Sequence, residues 1–105
     1  MEKYKVILVD DEAEVIDVME QKIRWNELGF EVVGSATNGV KALELVEKLQ
    51  PDVVLTDIKM PYMDGLELSR RLNQDYPNIY ILLRTGFDEF EYAKEAVHLE
   101  IKEYM

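Results

Sequence analysis

Three aspartates and one threonine stand just after short apolar runs, at positions where their side chains could act together. Asp10 and Asp11 follow the first run, Asp57 follows the third and Thr85 follows the fourth. In an open parallel sheet, the ligand crevice lies beyond the carboxyl ends of the strands. If the first and third strands are neighbours, we expect the three carboxylates to meet in one small crevice.

Like charges in such a crevice repel one another and destabilise the fold unless a cation lies among them. A hard divalent ion with oxygen ligands, most simply Mg²⁺, resolves this conflict. The backbone carbonyl of Lys59, two residues after Asp57, could supply a neutral ligand. The side chain of Lys59 is interpreted more simply as a solvated surface group.

Several acids also have a structural interpretation as helix N-caps. Asp11 with Glu14 fits a D-x-x-E capping box, and capping alone and metal binding are equally compatible with Asp11. Asp64 and Asp88 fit the same pattern and are interpreted as caps. Asp57 differs, because the residues after it do not resemble a helix start. An acid at a strand end without a capping role is a functional candidate.

The elements that would hold these side chains alternate between short apolar runs and amphipathic stretches. The runs lack strict polar alternation, as expected for strands covered on both faces. They comprise residues 5–9, 31–36, 53–56 and 79–83. Helical spacing of apolar residues between the runs predicts helices and right-handed crossovers. The expected fold class is α/β, a flavodoxin-like doubly wound parallel sheet with strand order 2-1-3-4-5.

The C-terminal unit is expected to be incomplete. Glu103 and Tyr104 could begin a fifth strand, and no helix follows them before Met105. Residues 1–105 are therefore predicted to form one domain that lacks its last helix. An uncovered apolar face and an unpaired strand edge favour contact with another copy. Self-association is expected on that ground.

Composition limits the classes of function. The chain has 105 residues with 48% hydrophobic content, which suits a single core. Its formal net charge of −10 disfavours binding to nucleic acid or anionic lipid. Cysteine is absent, which excludes disulfides and cysteine nucleophiles. The first apolar run meets Asp10 long before it could act as a secretory or membrane segment. A cytoplasmic protein without membrane contact is expected.

Four segments, in this order and at this spacing, resemble the signatures of response-regulator receiver domains of two-component signalling. They are Val9-Asp10-Asp11-Glu12, Thr56-Asp57-Ile58-Lys59-Met60-Pro61, Met63-Asp64-Gly65 and Thr85-Gly86. The resemblance covers essentially the whole chain. Residues 23–30 and 87–93 also resemble the subfamily in which a receiver precedes an arabinose-regulator-type helix-turn-helix output domain.

The resemblance implies a phosphorylation switch. Asp57 would be the phosphoacceptor, taking a phosphoryl group from a histidine kinase. Asp11, Asp57 and the Lys59 carbonyl would bind Mg²⁺ directly, and Asp10 would act through water. Such a domain is regulatory rather than an enzyme, although it takes part in its own phosphorylation and dephosphorylation.

The resemblance also assigns the readout of the switch. Thr85 would turn toward the phosphoryl group, and Tyr104 would change rotamer with it. A C-terminal DNA-binding output domain outside this chain would respond. The simpler interpretations are an ordinary strand-end hydroxyl for Thr85 and a core or rim aromatic for Tyr104.

Three features depart from the family pattern. The lysine that contacts the phosphoryl group in the family lies just after the fifth strand, beyond Met105. Arg84 stands where an apolar residue is usual, and an arginine on a covered strand needs a partner or a route to water. Glu100 stands where a helix-ending glycine is usual, at a cost of roughly 1 kcal/mol if its φ is positive.

Two other classes of function are compatible with some of these residues. A receiver-like interaction module that works without phosphorylation is favoured by Arg84 and the missing lysine, and disfavoured by the three aspartates. A Mg²⁺-dependent phosphatase or a flavin-binding protein could use the same kind of sheet. However, Lys59 stands where haloacid-dehalogenase-type phosphatases carry a second acid, and no glycine- and hydroxyl-rich phosphate loop follows the first strand.

Overall fold

The chain folds as a parallel sheet with helices on both faces, as the sequence predicts. The computed structural model describes residues 3–84 and 103–104. The strands are β1 (Tyr4–Val9), β2 (Phe30–Ala36), β3 (Val53–Asp57), β4 (Tyr80–Arg84) and β5 (Glu103–Tyr104). The helices are α1 (Ala13–Lys22), α2 (Gly39–Leu49) and α3 (Gly65–Asp75). The sheet order β2-β1-β3-β4-β5 confirms the predicted order 2-1-3-4-5.

Residues 6–9 of β1 and 53–56 of β3 are buried on both faces of the sheet, which explains the nearly continuous apolar sequence of these two central strands. Alternate side chains point to opposite faces of a strand and enter two separate cores. The larger core includes side chains of α2 and α3, among them Val46, Leu68 and Leu72. The smaller core includes Ile16 and Met19 of α1. This division is the doubly wound arrangement.

The start of α1 corrects one sequence prediction. The helix begins at Ala13 with Glu12 as its N-cap, and no side chain caps it. The interpretation of Asp11 with Glu14 as a capping box is therefore wrong. The reason is local, because Asp10 accepts a hydrogen bond from the Glu12 amide at 2.9 Å. That turn places Asp11 before the cap position rather than on it.

The other two described helices are capped by side chains. Asp64 accepts from the backbone N–H of Glu67 at 2.8 Å, which confirms its predicted capping role. Asn38 caps α2 in the same way, through the Lys41 amide at 2.8 Å, and was not predicted. Asp88 lies outside the described residues.

Within the part of the chain that the structure describes, no helix is long and apolar enough to cross a bilayer.

Two strands end one residue later than the apolar runs indicate. Asp57 is the last residue of β3, and Arg84 is the last residue of β4. The two are register partners in the parallel pairing of these strands. Asp57 and Arg84 therefore stand side by side at the carboxyl edge of the sheet.

Glycine is required at the first position of α3, where the backbone passes close to the end of β3. The Gly65 amide donates to the Ile58 carbonyl at 2.6 Å. A Cβ atom at Gly65 would overlap the carbonyl oxygen of Asp57 and lie 2.8 Å from the Cα of Ile58. Because both neighbours are backbone atoms, they cannot move aside as a side chain could. The loop from β3 to α3 is thus held against the strand end.

The expectations about the C-terminal unit rest mainly on residues that the structure does not describe. Thr85 and Glu100 lie outside the described residues. The short strand β5 pairs with β4, and Tyr104 is the register partner of Leu83. Self-association remains a prediction of the sequence.

We predict that Gly65→Ala destabilises the fold by about 2 to 3 kcal/mol, because an added methyl group meets backbone that cannot give way. Chemical denaturation measures the loss. Gly34→Ala is the matched control, since its added Cβ would meet flexible side chains rather than backbone, Leu49 at 3.2 Å and Leu45 at 3.5 Å. We expect a loss below about 1 kcal/mol there. Equal losses in both variants would contradict the close approach described at Gly65.

Candidate functional site

The three aspartates singled out by the sequence lie together at the carboxyl edge of the sheet. Asp10 directly follows β1, Asp11 comes next, and Asp57 ends β3. Because β1 and β3 are hydrogen-bonded neighbours, their ends bring these side chains into one cluster. One carboxylate oxygen from each residue lies within 4.8 Å of the other two. The predicted convergence is confirmed.

The three carboxylates differ in burial. The side chain of Asp10 is 1% exposed and that of Asp57 is 13% exposed, whereas Asp11 is exposed. Backbone amides hold the two less exposed carboxylates. Glu12 donates to Asp10 Oδ1 and Ile58 donates to Asp57 Oδ1, both at 2.9 Å. Asp11 is therefore the most accessible carboxylate of the three.

An open crevice runs along this edge between the acids and the loop that follows β3. It is lined by Asp11, Glu12, Asp57, Lys59, Met60 and Pro61. Lys59 thus lies at the same crevice as two of the acids, as its place in the sequence suggests. Its role as a carbonyl ligand remains a prediction.

Arg84 is the basic residue of this cluster. Its Nη2 atom forms an ion pair with Asp10 Oδ2 and lies 3.9 Å from Asp57 Oδ2. The arginine side chain is 35% exposed. The expectation that an arginine at this position needs a partner is confirmed, and the Nε atom of the same side chain is buried. Sequence reasoning identified the need but did not identify Asp10 as the partner.

Thr56 supports the end of β3 and was not singled out by its chemistry. It is fully buried, and its hydroxyl donates to the Asp57 carbonyl oxygen at 2.9 Å. This hydrogen bond satisfies the buried hydroxyl of Thr56, which lies one residue before Asp57, the candidate phosphoacceptor. In the sequence, this supporting role is indicated by a threonine at the end of an otherwise apolar run.

The structure describes one of the two residues assigned to the switch. Thr85 lies outside the described residues. Tyr104 belongs to β5 beside Leu83, and only its strand pairing is described. Their roles remain predictions.

The donor set fits a small hard cation. All three side chains offer carboxylate oxygens, the ligand type that Mg²⁺ prefers. With ligands at 2.0–2.1 Å, opposite oxygens around Mg²⁺ are about 4 Å apart, so oxygens within 4.8 Å need only small adjustments. Both oxygens of Asp10 already have partners, Glu12 and Arg84. Asp11, the exposed carboxylate of the three, is therefore the best placed for direct contact with an ion.

The chain is similar to known proteins over nearly its whole length. Residues 6–105 match the family model of the response regulator receiver domain. The chain is 44% identical, over 97% of its length, to an uncharacterized transcriptional regulatory protein of Bacillus subtilis, YesN. It is 33% identical, over the same share, to the transcriptional regulatory protein HptR of Staphylococcus aureus. The chain spans 28% of the first relative and 40% of the second.

Solved structures show the same likeness. The receiver domain of AraT, a response regulator from Geobacillus stearothermophilus, has a TM-score of 0.90 and 41% identity, over 97% of this chain and 79% of that one. A two-component transcriptional regulator, AraC, from Clostridium phytofermentans has a TM-score of 0.89 and 32% identity, over 98% of this chain and 80% of that one. The chain belongs to the response-regulator receiver domain family, and its relatives are consistent with the subfamily that carries an arabinose-regulator-type output domain.

Proposed function

We propose that this chain is the phosphorylation-dependent switch of a two-component transcription regulator. Asp57 accepts a phosphoryl group from a histidine kinase, with Mg²⁺ as the cofactor. The modified domain then controls a DNA-binding output domain in a longer protein. The observation that carries the proposal is the cluster of Asp10, Asp11 and Asp57 at the edge of the sheet. The transcriptional regulators among the relatives support the output.

The group transfer requires only one nucleophile from the chain. An Asp57 carboxylate oxygen forms a bond to phosphorus while the bond from phosphorus to the donor's imidazole nitrogen breaks. The electron pair of that bond stays on the nitrogen, so the histidine returns to its neutral form after proton exchange with water. Phosphoryl transfer depends mainly on positioning and on neutralising charge. The Ile58 amide supplies positioning, because it holds one Asp57 oxygen in place.

When bound, a divalent ion would supply positive charge to offset the incoming phosphoryl oxygens. Asp11, Asp57 and the Lys59 carbonyl would hold it directly. Asp10 would act through water, as the likeness to receiver domains implies, and its Oδ1 would keep the hydrogen bond from the Glu12 amide. The proposed readout is by Thr85 and Tyr104, which would respond to the new negative charge.

Receiver domains of transcriptional regulators are regulatory proteins rather than enzymes. We accordingly propose that this chain acts on no separate substrate. The net charge of −10 supports the view that DNA contact belongs to the output domain and not to this segment. A cytoplasmic location is part of the same proposal.

The second candidate is an interaction module that works without phosphorylation. The observation in its favour is Arg84, which already places a positive charge beside Asp10 and near Asp57. A cluster neutralised from within has less need of a metal ion. The two candidates differ in whether the protein takes up a phosphoryl group.

We predict that incubation with Mg²⁺ and a small phosphodonor adds a single phosphoryl group, measured by intact mass, and that Asp57→Asn abolishes the addition. An amide is not nucleophilic enough to form the acyl phosphate. Asp17→Asn, an exposed position on α1, is the control and should behave like the unmodified protein. Labelling of Asp57→Asn at the original rate would contradict the assignment. No addition to the unmodified protein would favour the interaction module.

We also predict that saturating Mg²⁺ stabilises the fold and that Asp11→Ala removes most of this gain. An ion at 100 times its dissociation constant stabilises by roughly 2.7 kcal/mol if it ignores the unfolded chain. Thermal melts with and without Mg²⁺ measure the effect. Glu14→Ala removes a neighbouring acid in the first turn of α1 and should keep the full gain. Equal gains in the Asp11 variant and the unmodified protein would mean that the ion binds elsewhere.

A further inference from the structure

We propose that Arg84 is a built-in counter-ion of the acidic cluster, which holds Asp10 in the metal-free protein and competes with Mg²⁺ for the site. The inference rests on the magnesium site proposed above. Binding of the ion would then require Arg84 to move away from Asp10. Arg84, at the end of β4, would thus set the Mg²⁺ concentration at which the site fills.

The geometry places the guanidinium where a second cation would have to fit. Nη2 of Arg84 contacts Asp10 Oδ2 and lies 3.9 Å from Asp57 Oδ2. These two aspartates supply two of the three carboxylates in the cluster. A metal ion among the same oxygens would lie within a few ångströms of the guanidinium. Two cations at that distance repel each other strongly in a partly buried site.

Burial explains why the arginine stays in this position without a metal ion. Asp10 is 1% exposed, and a buried carboxylate without a compensating charge is costly. The Glu12 amide satisfies only Oδ1, so Oδ2 depends on Arg84. A charge-assisted hydrogen bond is stronger than a neutral one. The ion pair therefore supplies part of the charge neutralisation that a metal ion would provide.

Exposure explains how the arginine could leave. The side chain of Arg84 is 35% exposed, although its Nε atom is buried, so part of the side chain already faces water. Its position at the last residue of β4 leaves the strand pairing unaffected when the side chain moves. Release is therefore a side-chain rotation and not a change of fold.

The first experiment measures Mg²⁺ affinity with probes inside the site. The amides of Glu12 and Ile58 donate to Asp10 and Asp57, so their NMR shifts report on both carboxylates. We expect Arg84→Gln to lower the dissociation constant for Mg²⁺ by about tenfold, which corresponds to about 1.4 kcal/mol. Arg24→Gln is the charge-matched control, because Arg24 pairs with Glu27 before β2 and away from the cluster. It should leave the affinity unchanged.

Arg84→Lys keeps the charge but loses the planar fork that reaches Asp10. We expect its dissociation constant to lie between those of the unmodified protein and Arg84→Gln. This variant also carries the test if Arg84→Gln does not fold without metal. An unchanged affinity in both Arg84 variants would overturn the counter-ion proposal while leaving the magnesium site intact. No shift of either amide in any variant would instead overturn the magnesium site of the proposed function.

The second experiment tests the ion pair itself, by melting the metal-free protein in the presence of a chelator. Arg84→Gln should lower the melting temperature in the unmodified background. It should have little further effect in an Asp10→Asn background, because the partner charge is already gone. Additive effects of the two substitutions would show that Arg84 and Asp10 do not act as a pair, and the proposal would fail.

Discussion

Repulsion among three carboxylates is the constraint on which the rest of this domain depends. The adjacency of β1 and β3 brings oxygens of Asp10, Asp11 and Asp57 within 4.8 Å of one another. Two backbone amides and one guanidinium offset part of that charge. Among the residues that the structure describes, the cluster holds three carboxylates and one guanidinium, so its charge remains negative. A site with residual negative charge is suited to take up a cation and to respond to a change of charge.

The scaffold makes this unfavourable cluster possible because it fixes the strand ends. Both central strands are buried, so the strand ends cannot separate without exposing the core. The Ile58 amide holds the Asp57 carboxylate, and the Ile58 carbonyl accepts from Gly65 at the start of α3. The first turn of α3 is thus connected to the candidate phosphoacceptor through a single residue, Ile58. A change of charge at Asp57 would act on a helix start that is packed directly against it.

Much of the fold and of the site follows from local sequence patterns. The apolar runs predict the first four strands to within one residue at each end, because a strand covered on both faces must be apolar. The one-residue error in the predicted ends of β3 and β4 has a physical cause. Asp57 and Arg84 are charged and interrupt the apolar pattern, but the backbone ladder does not depend on side-chain polarity. The capping prediction for Asp11 failed because the neighbouring Asp10 bonds the Glu12 amide and shifts the helix start.

The partner of Arg84 could not be read from local patterns, because it lies 74 residues earlier in the chain. The strand order decides it. β1 and β4 flank β3 on either side, so side chains at the ends of β1 and β4 can meet across the end of β3. The same topology that gathers the acids therefore also brings a cation to them. It follows that a substitution on β4 can alter the charge balance of the site while every acidic residue stays in place.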